Sequence, residues 1–197
     1  KAKDETFSSL RNFRPQNQNE AALRILEIGI GSGVNFKYYP SGSVVIGVDP
    51  NANFSSDLAK SVKKHDVNLE KLFHCNAENM SEIADESVDA VVTSLVMCYV
   101  SDPDVVLKEI GRVLRGHGRY YFFEHGAFQS SRFGNFVIWL LKPWFHFFAC
   151  GCNNDRRFDH YFNKSSCFSK INLNYDEFKI FGITVPIVAF YYGVAEK

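Results

Sequence analysis

Residues 24–36 read RILEIGIGSGVNF, an apolar run with a glutamate followed by glycines at alternate positions, Gly29, Gly31 and Gly33. Such a pattern marks a strand that must turn sharply where a ligand approaches bare backbone, because a Cβ would obstruct both. A nucleotide-like ligand is the natural occupant. About 20 residues beyond Gly29, Asp49 closes the next apolar run, at the spacing from which a carboxylate accepts hydrogen bonds from ribose hydroxyls. A tight turn and an Asp opening the DPN turn would explain each feature alone. Their joint spacing favours the ligand.

Working outward, apolar runs fall at 24–28, 44–48, 69–75, 88–96 and 119–123, with helix-like stretches between them. That alternation predicts parallel strands in an α/β sheet. VVIGV and VDAVVTSLV carry little polar alternation, as expected of central strands covered on both faces. The spacing predicts a helix over 102–115, with Asp102 as cap, Pro103 at the first helical position, Val106, Ile110, Val113 and Leu114 on one face, and Gly116 at its end. Two further extended runs, 167–173 and 184–195, are joined by a polar segment too short for a helical crossover and are read as an antiparallel edge pair.

At 197 residues the chain suits one domain, 1–197, in which 126–164 is an aromatic-rich cap insertion rather than a second domain. Formal net charge is zero and no long basic run appears, which argues against a nucleic-acid partner. Five cysteines, an odd count, read as reduced thiols of a cytosol-facing domain. The first residue is Lys1, so a preceding segment is expected.

Dinucleotide-binding dehydrogenases use G-x-G-x-x-G, with the phosphates on a helix N-terminus. Here the third glycine comes one residue early, Val34 holds the last position, and only one or two helical turns fit between Gly33 and Val44. A nicotinamide enzyme is therefore the weakest rival. The form E-x-G-x-G-x-G, with Glu27 upstream, resembles the first motif of class I S-adenosylmethionine-dependent methyltransferases. The resemblance implies a Rossmann-like, seven-stranded, mostly parallel sheet whose last strand is antiparallel, with a helical cap insertion. It implies that Glu27 contacts or orients the amino-acid end of S-adenosylmethionine, that the glycines lie under its methionine and ribose, and that Asp49 holds the ribose hydroxyls.

The resemblance continues in order along the chain. CNAENM falls where the family holds adenine, placing Ala77 against the ring and Glu78 on its amino group. SVDAVVTSLVMCYV matches the fourth strand, whose end at Ser94 and Leu95 borders the cofactor. RVLRGHGRYYFFEH matches the next helix and strand, with Gly116 and His117 where relatives read P-G. Within the family, NFKYYPSG, MCYV, EHGAF, KPWFHFFACGCNNDR and CFSKINL are similar to the small thiol methyltransferases anchored to endoplasmic reticulum and lipid-droplet membranes. Lys142 and Cys150 stand where those relatives carry acids. The resemblance implies an anchored protein at the cytosolic face of one of those membranes, of which this chain is a soluble piece acting on a small, apolar thiol acceptor.

Residues 120–148 hold 12 of the chain's 30 aromatics, and that density demands burial somewhere. FGNFVIWLLKPWFHFFAC is broken by Asn135, Lys142, Pro143 and His146 and falls short of a spanning helix. Core packing, the wall of an apolar acceptor pocket and a surface resting in the lipid interface all remain open.

A sulfonium methyl needs only an aligned nucleophile, and a thiol of pKa about 8.5 is already partly ionised near pH 7. A modest base would help, and FFEH places His125 at the carboxyl end of the fifth strand, where open α/β sheets bind ligands. A histidine that merely bonds a loop would read the same way. His146, Cys150, Cys152 and Cys167 could in principle hold zinc, but C-x-C lacks the usual separation and no metal is expected there. Cys98 reads as core filler that could also face the acceptor. The other readings are a methyltransferase acting on a lipid, quinone or arsenical, and an inactive cofactor-binding module at a membrane or lipid droplet.

Overall fold

A computed structural model describes residues 2–14, 22–129, 131–148, 151–180 and 183–197. Its centre is a seven-stranded sheet in the order β3-β2-β1-β4-β5-β7-β6, built from β1 (Arg24–Ile28), β2 (Val44–Val48), β3 (Asn68–Phe73), β4 (Val88–Ser94), β5 (Leu114–Gly126), β6 (Lys170–Ile180) and β7 (Ile183–Glu196). The pairs among β1 to β5 are parallel, and β7 runs antiparallel to both β5 and β6. This is the seven-stranded Rossmann-like sheet expected from the sequence.

The central strands alternate between two apolar layers. Leu26, Ile46, Val91, Tyr120 and Phe122 face one layer, while Ile25, Val45, Ala90, Val92 and Tyr121 face the other. Both faces are covered, so the strands read as continuous apolar runs. Helix α1 (Ala2–Asn12), which the sequence reading did not single out, puts Phe7 and Leu10 into the second layer, where Phe7 meets Tyr38 edge-on at 5.4 Å. Helix α2 (Ser55–His65) follows β2 and adds Leu58 to the same layer. The crossover from the glycine loop to β2 is a single 3-10 turn, Phe36–Tyr38.

Helix α3 (Pro103–Val113) begins as expected, with the Asp102 side chain accepting from the Asp104 N–H at 2.9 Å and Pro103 in the first turn. It ends earlier than the sequence predicts. Leu114 is fully buried and extended and pairs with Val88, so it joins β5 before Gly116 is reached. Likewise β4 stops at Ser94, because Leu95 turns into the left-handed region at φ 59°. The tail strands are longer than expected, since the polar segment NYDEF stays in β6 with Tyr175 turned inward and Asn174 and Asp176 outward. That alternation is the pattern of a half-buried edge strand.

The cap comprises α4 (Arg132–Phe148) and α5 (Phe158–Lys164). Helix α5 is core, with the Phe162 ring tilted against Phe122 at a centroid distance of 4.5 Å. Helix α4 lies closely on Phe128, since a Cβ at Gly134 would come within 2.6 Å of that ring, and buries Ile138 beside Phe128 and Ala189. Its other side leaves Phe133, Phe136, Trp139, Leu140, Trp144 and Phe147 exposed. No described helix is long and apolar enough to cross a membrane.

Candidate functional site

The β1 strand ends in a turn that only bare backbone permits. Gly29 has φ 68°, and a Cβ there would lie 2.2 Å from Val96 Cγ2. Gly31 has φ 48°, and a Cβ there would meet nothing within 4 Å. The first glycine thus allows close packing, and the second leaves space open. Asp49, at the tip of β2, fixes the loop, its Oδ2 accepting from the Gly31 N–H and its Oδ1 from the Asn51 N–H, both at 2.9 Å. A carboxylate has about four lone-pair sites, so acceptor capacity remains on both oxygens.

These residues border a cavity of about 610 Å³ at the carboxyl ends of β1, β2 and β4, within the size range of small-molecule sites. The expected Gly29, Gly31, Asp49, Ala77, Glu78, Ser94 and Leu95 all line it. Glu78 also ties the cavity to α3, its Oε1 accepting from the Ser101 and Asp102 N–H groups. Leu95 holds φ 59°, a conformation costly for a branched side chain. Its N–H is held by the Phe123 carbonyl at 2.9 Å, so the β4–β5 pairing imposes the turn that presents it to the cavity.

Three expected residues lie off the cavity wall. Gly33 sits behind it, where a Cβ would press on Phe36 and Leu58. Glu27 is fully buried and accepts from Asn35 Nδ2 and Tyr39 Oη, each at 2.7 Å. It braces the chain that follows the glycine loop rather than lining the cavity. Burial pushes its carboxyl up to about 7, against the opposing bonds from Tyr39 and Asn35. His125 is the third, set against Cys98 and Cys152 beneath the loop after β4. The sequence reading missed Phe54 and Tyr99, half-exposed rings on the cavity wall. Tyr99 lay inside MCYV, but nothing about its spacing set it apart.

The loop after β4 is held from two sides. Glu124, fully buried on β5, accepts from the Val96 and Met97 N–H groups through Oε2 at 2.8 and 3.1 Å. The Arg156 guanidinium of the cap donates to the carbonyls of Met97 and Val100 at 2.5 and 2.6 Å. Asn153 adds its backbone N–H and side-chain amide to the Cys98 carbonyl, at 2.9 and 3.2 Å. The cap is therefore stitched to the segment that forms one wall of the cavity.

Beneath that seam, His125 Nε2 lies 3.8 Å from Cys98 Sγ and 3.6 Å from Cys152 Sγ. Burial pulls the imidazole down, but its contact with Cys152 outweighs this and leaves it above its ordinary value. The hydrogen bond with Cys98, then His125, holds Cys152 below the ordinary thiol range, while Cys98 is pushed up. Of the cysteine–histidine set considered from the sequence, Cys167 packs against Gly111 of α3. Cys150 and the side chain of His146 lie outside the described residues. Lys142 pairs with Asp155 at 2.7 Å, joining α4 to the cap loop.

S-adenosylmethionine fits these donors. The Gly31 backbone faces space that a side chain would fill, Asp49 keeps acceptor capacity for ribose hydroxyls, and Ala77 and Glu78 combine a small apolar surface with an acceptor for an amino group. Residues 26–122 match the methyltransferase domain family. The chain is 39% identical over 174 residues to human thiol S-methyltransferase TMT1A, covering 88% of this chain and 70% of that protein. It is 39% identical over 156 residues to mouse thiol S-methyltransferase TMT1B, covering 78% and 62%. Among solved structures, a SAM-dependent methyltransferase from Methanosarcina mazei superposes with a TM-score of 0.63 at 20% identity, covering 94% of this chain and 98% of that one.

Proposed function

Because the chain belongs to the class I S-adenosylmethionine-dependent methyltransferases, in the group of the thiol S-methyltransferases, we propose that it methylates a small, apolar thiol. The observation that carries this acceptor class is the wall supplied by the loop after β4, where Leu95, Val96, Tyr99 and Val100 offer apolar surface at the cavity.

S-adenosylmethionine, when bound, supplies an electrophilic methyl group. The chain's own task is to hold and orient. Asp49 accepts from the ribose, Glu78 keeps Oε2 for the adenine amino group while Oε1 serves the Ser101 N–H, and the glycine loop admits the ligand close to its backbone. Glu27 acts at one remove, through Asn35 and Tyr39. Positioning of this kind can supply several kcal/mol of a barrier. A thiol of pKa about 8.5 needs little more, whereas a hydroxyl near 15.7 would require a strong base or a metal.

The direct test is product identification by mass spectrometry after incubation with S-adenosylmethionine and a matched panel: an alkyl thiol, its alcohol and amine analogues, a quinol, a lipid amine and arsenite. The expected result is a methyl thioether from the alkyl thiol with no turnover of the alcohol. Preferred turnover of the quinol, lipid or arsenical would transfer the assignment to that acceptor, and no turnover of any would favour a cofactor-binding interaction module.

We also propose that α4 rests in a membrane interface, at the cytosolic face of the endoplasmic reticulum or on a lipid droplet. Its exposed rings suit the headgroup boundary, where amphipathic side chains keep their polar ends wet. An apolar acceptor could then reach the protein from the bilayer.

A further inference from the structure

We infer that Cys98, His125 and Cys152 form a zinc site with three protein ligands and a fourth position for the sulfur of the acceptor. The second half of this inference rests on the thiol reaction proposed above; the metal site itself does not.

The three ligands come from separate parts of the fold: the loop after β4, the end of β5 and the cap loop. Their ligand atoms lie within 4.8 Å of one another, and they are the only such cysteine, histidine or carboxylate group among the described residues. A tetrahedral zinc ion, with Zn–S about 2.3 Å and Zn–N about 2.0–2.1 Å, sets its ligand atoms about 3.5–3.8 Å apart. The Nε2 to Sγ separations are 3.6 and 3.8 Å. The Nε2–Sγ spacing is that of the ion's ligand set, and since Cys152 Sγ also lies 3.9 Å from Nδ1, beside the ring, a turn of the imidazole would aim Nε2 at the ion.

The chemistry of the donors points the same way. Two sulfurs and an imidazole suit zinc, and a Cys2His set with one exchangeable position is a known form of catalytic rather than structural site. Cys98 and Cys152 are buried, so exposure does not explain them. Ordinary core cysteines would be expected among apolar neighbours, not converging on one imidazole nitrogen. The seam above the cluster gives it rigidity: Asn153 beside Cys152 is bonded to the Cys98 carbonyl, and Arg156 spans the carbonyls of Met97 and Val100 on either side.

The location supplies the role. Cys98 is fully buried, but Val96 and Tyr99, on either side of it in the chain, line the cavity, which places the cluster behind that wall. An acceptor thiol entering the fourth position would displace a water molecule, lose its proton to solvent and form an S–Zn bond as a thiolate. Zinc would therefore provide the ionised sulfur, and His125 would be a metal ligand in place of the base expected from the sequence.

The test uses the whole chain purified under a non-thiol reductant. Elemental analysis should find about one zinc per chain. Replacement by cobalt should give thiolate-to-cobalt charge-transfer absorption and the intense visible bands of a tetrahedral ion. Cys152→Ser and Cys98→Ser should each weaken metal binding beyond the roughly 10–100-fold that loss of an outer-shell partner costs. Adding an alkyl thiol should shift the cobalt spectrum, and its alcohol analogue should not. S-adenosylhomocysteine affinity should be unchanged in Cys152→Ser, which lies off the cavity wall and reports that the variant is folded.

A metal-free wild-type chain that takes up no cobalt, a Cys98–Cys152 disulfide persisting under reductant, or zinc retained by folded Cys152→Ser would each overturn the site. Cobalt bound without any response to thiol would overturn its acceptor role. Stoichiometric zinc in a chain that neither binds S-adenosylhomocysteine nor methylates a thiol would instead count against the parent reaction.

Discussion

At the scale of single residues, the site divides into groups that meet the ligand and groups that hold those groups. Asp49, proposed to meet the ribose, also holds the loop through the Gly31 and Asn51 N–H groups. Asp49→Ala should weaken S-adenosylhomocysteine binding by about 1.5–3 kcal/mol, the range of a hydrogen bond to a charged group, as read by calorimetry. The glycines make a sharper comparison. Gly31→Ala adds a methyl where nothing stands within 4 Å, so it should fold with a modest backbone penalty while losing cofactor affinity. Gly29→Ala drives a methyl into Val96 and should lower the melting temperature first. Equal thermal losses with equal affinities in the two variants would contradict this division. The placement of Gly29, Gly31 and Asp49 on the cavity was legible in the sequence because a bare turn after one strand and a carboxylate after the next fix both residue type and spacing. The Cys98, His125 and Cys152 cluster was not, because three distant segments supply it and the local C-x-C pattern grouped Cys152 with Cys150 instead.

At the scale of elements, α4 carries the sharpest question. It buries Ile138 against β7 yet leaves Phe133 and Trp139 69% and 65% exposed. Removing two such side chains from an apolar environment should cost about 3–6 kcal/mol of membrane partitioning at most. Phe133→Ser with Trp139→Ser should therefore reduce liposome co-sedimentation at least tenfold and leave the melting temperature nearly unchanged. If the double variant sediments as the wild type does, α4 is not the contact. The sequence could place the aromatics but not divide them: Tyr120, Phe122 and Phe128 are fully buried, whereas much of α4 is exposed. Periodicity also understated β6, whose outward polar residues disguise an edge strand, and overextended α3, since Leu114 is equally at home on a helix face or in a buried strand.

At the scale of the whole molecule, one buried carboxyl links the cofactor loop to stability. Glu27 is raised from an ordinary 4.5 to about 7, chiefly by burial, so the folded state binds its proton more tightly than the unfolded state does. Its contribution to stability is fully present below about pH 4.5 and is lost as pH rises through about 7. The displacement corresponds to about 3 kcal/mol. Glu27→Gln keeps an acceptor for Asn35 and a donor for Tyr39 while removing the titration. Thermal melts of the ligand-free protein should show that component of the pH dependence flattened between pH 5 and 7. An unchanged slope would leave the pH dependence to Glu124, whose carboxyl burial likewise raises to about 7.

The overall topology was largely readable, because five apolar runs and an edge pair allow few parallel sheets. The loop turns that shape the cavity depend on pairings between strands far apart in sequence, as at Leu95 and Phe123, and had to be seen. The claim on which the rest depends is that the bare glycine loop and Asp49 form the seat of a sulfonium cofactor. In calorimetric titration, S-adenosylhomocysteine should bind stoichiometrically, and more weakly to Asp49→Ala, while NADH as a parallel control should not bind. Binding of NADH instead, or S-adenosylhomocysteine affinity indifferent to Asp49, would contradict it.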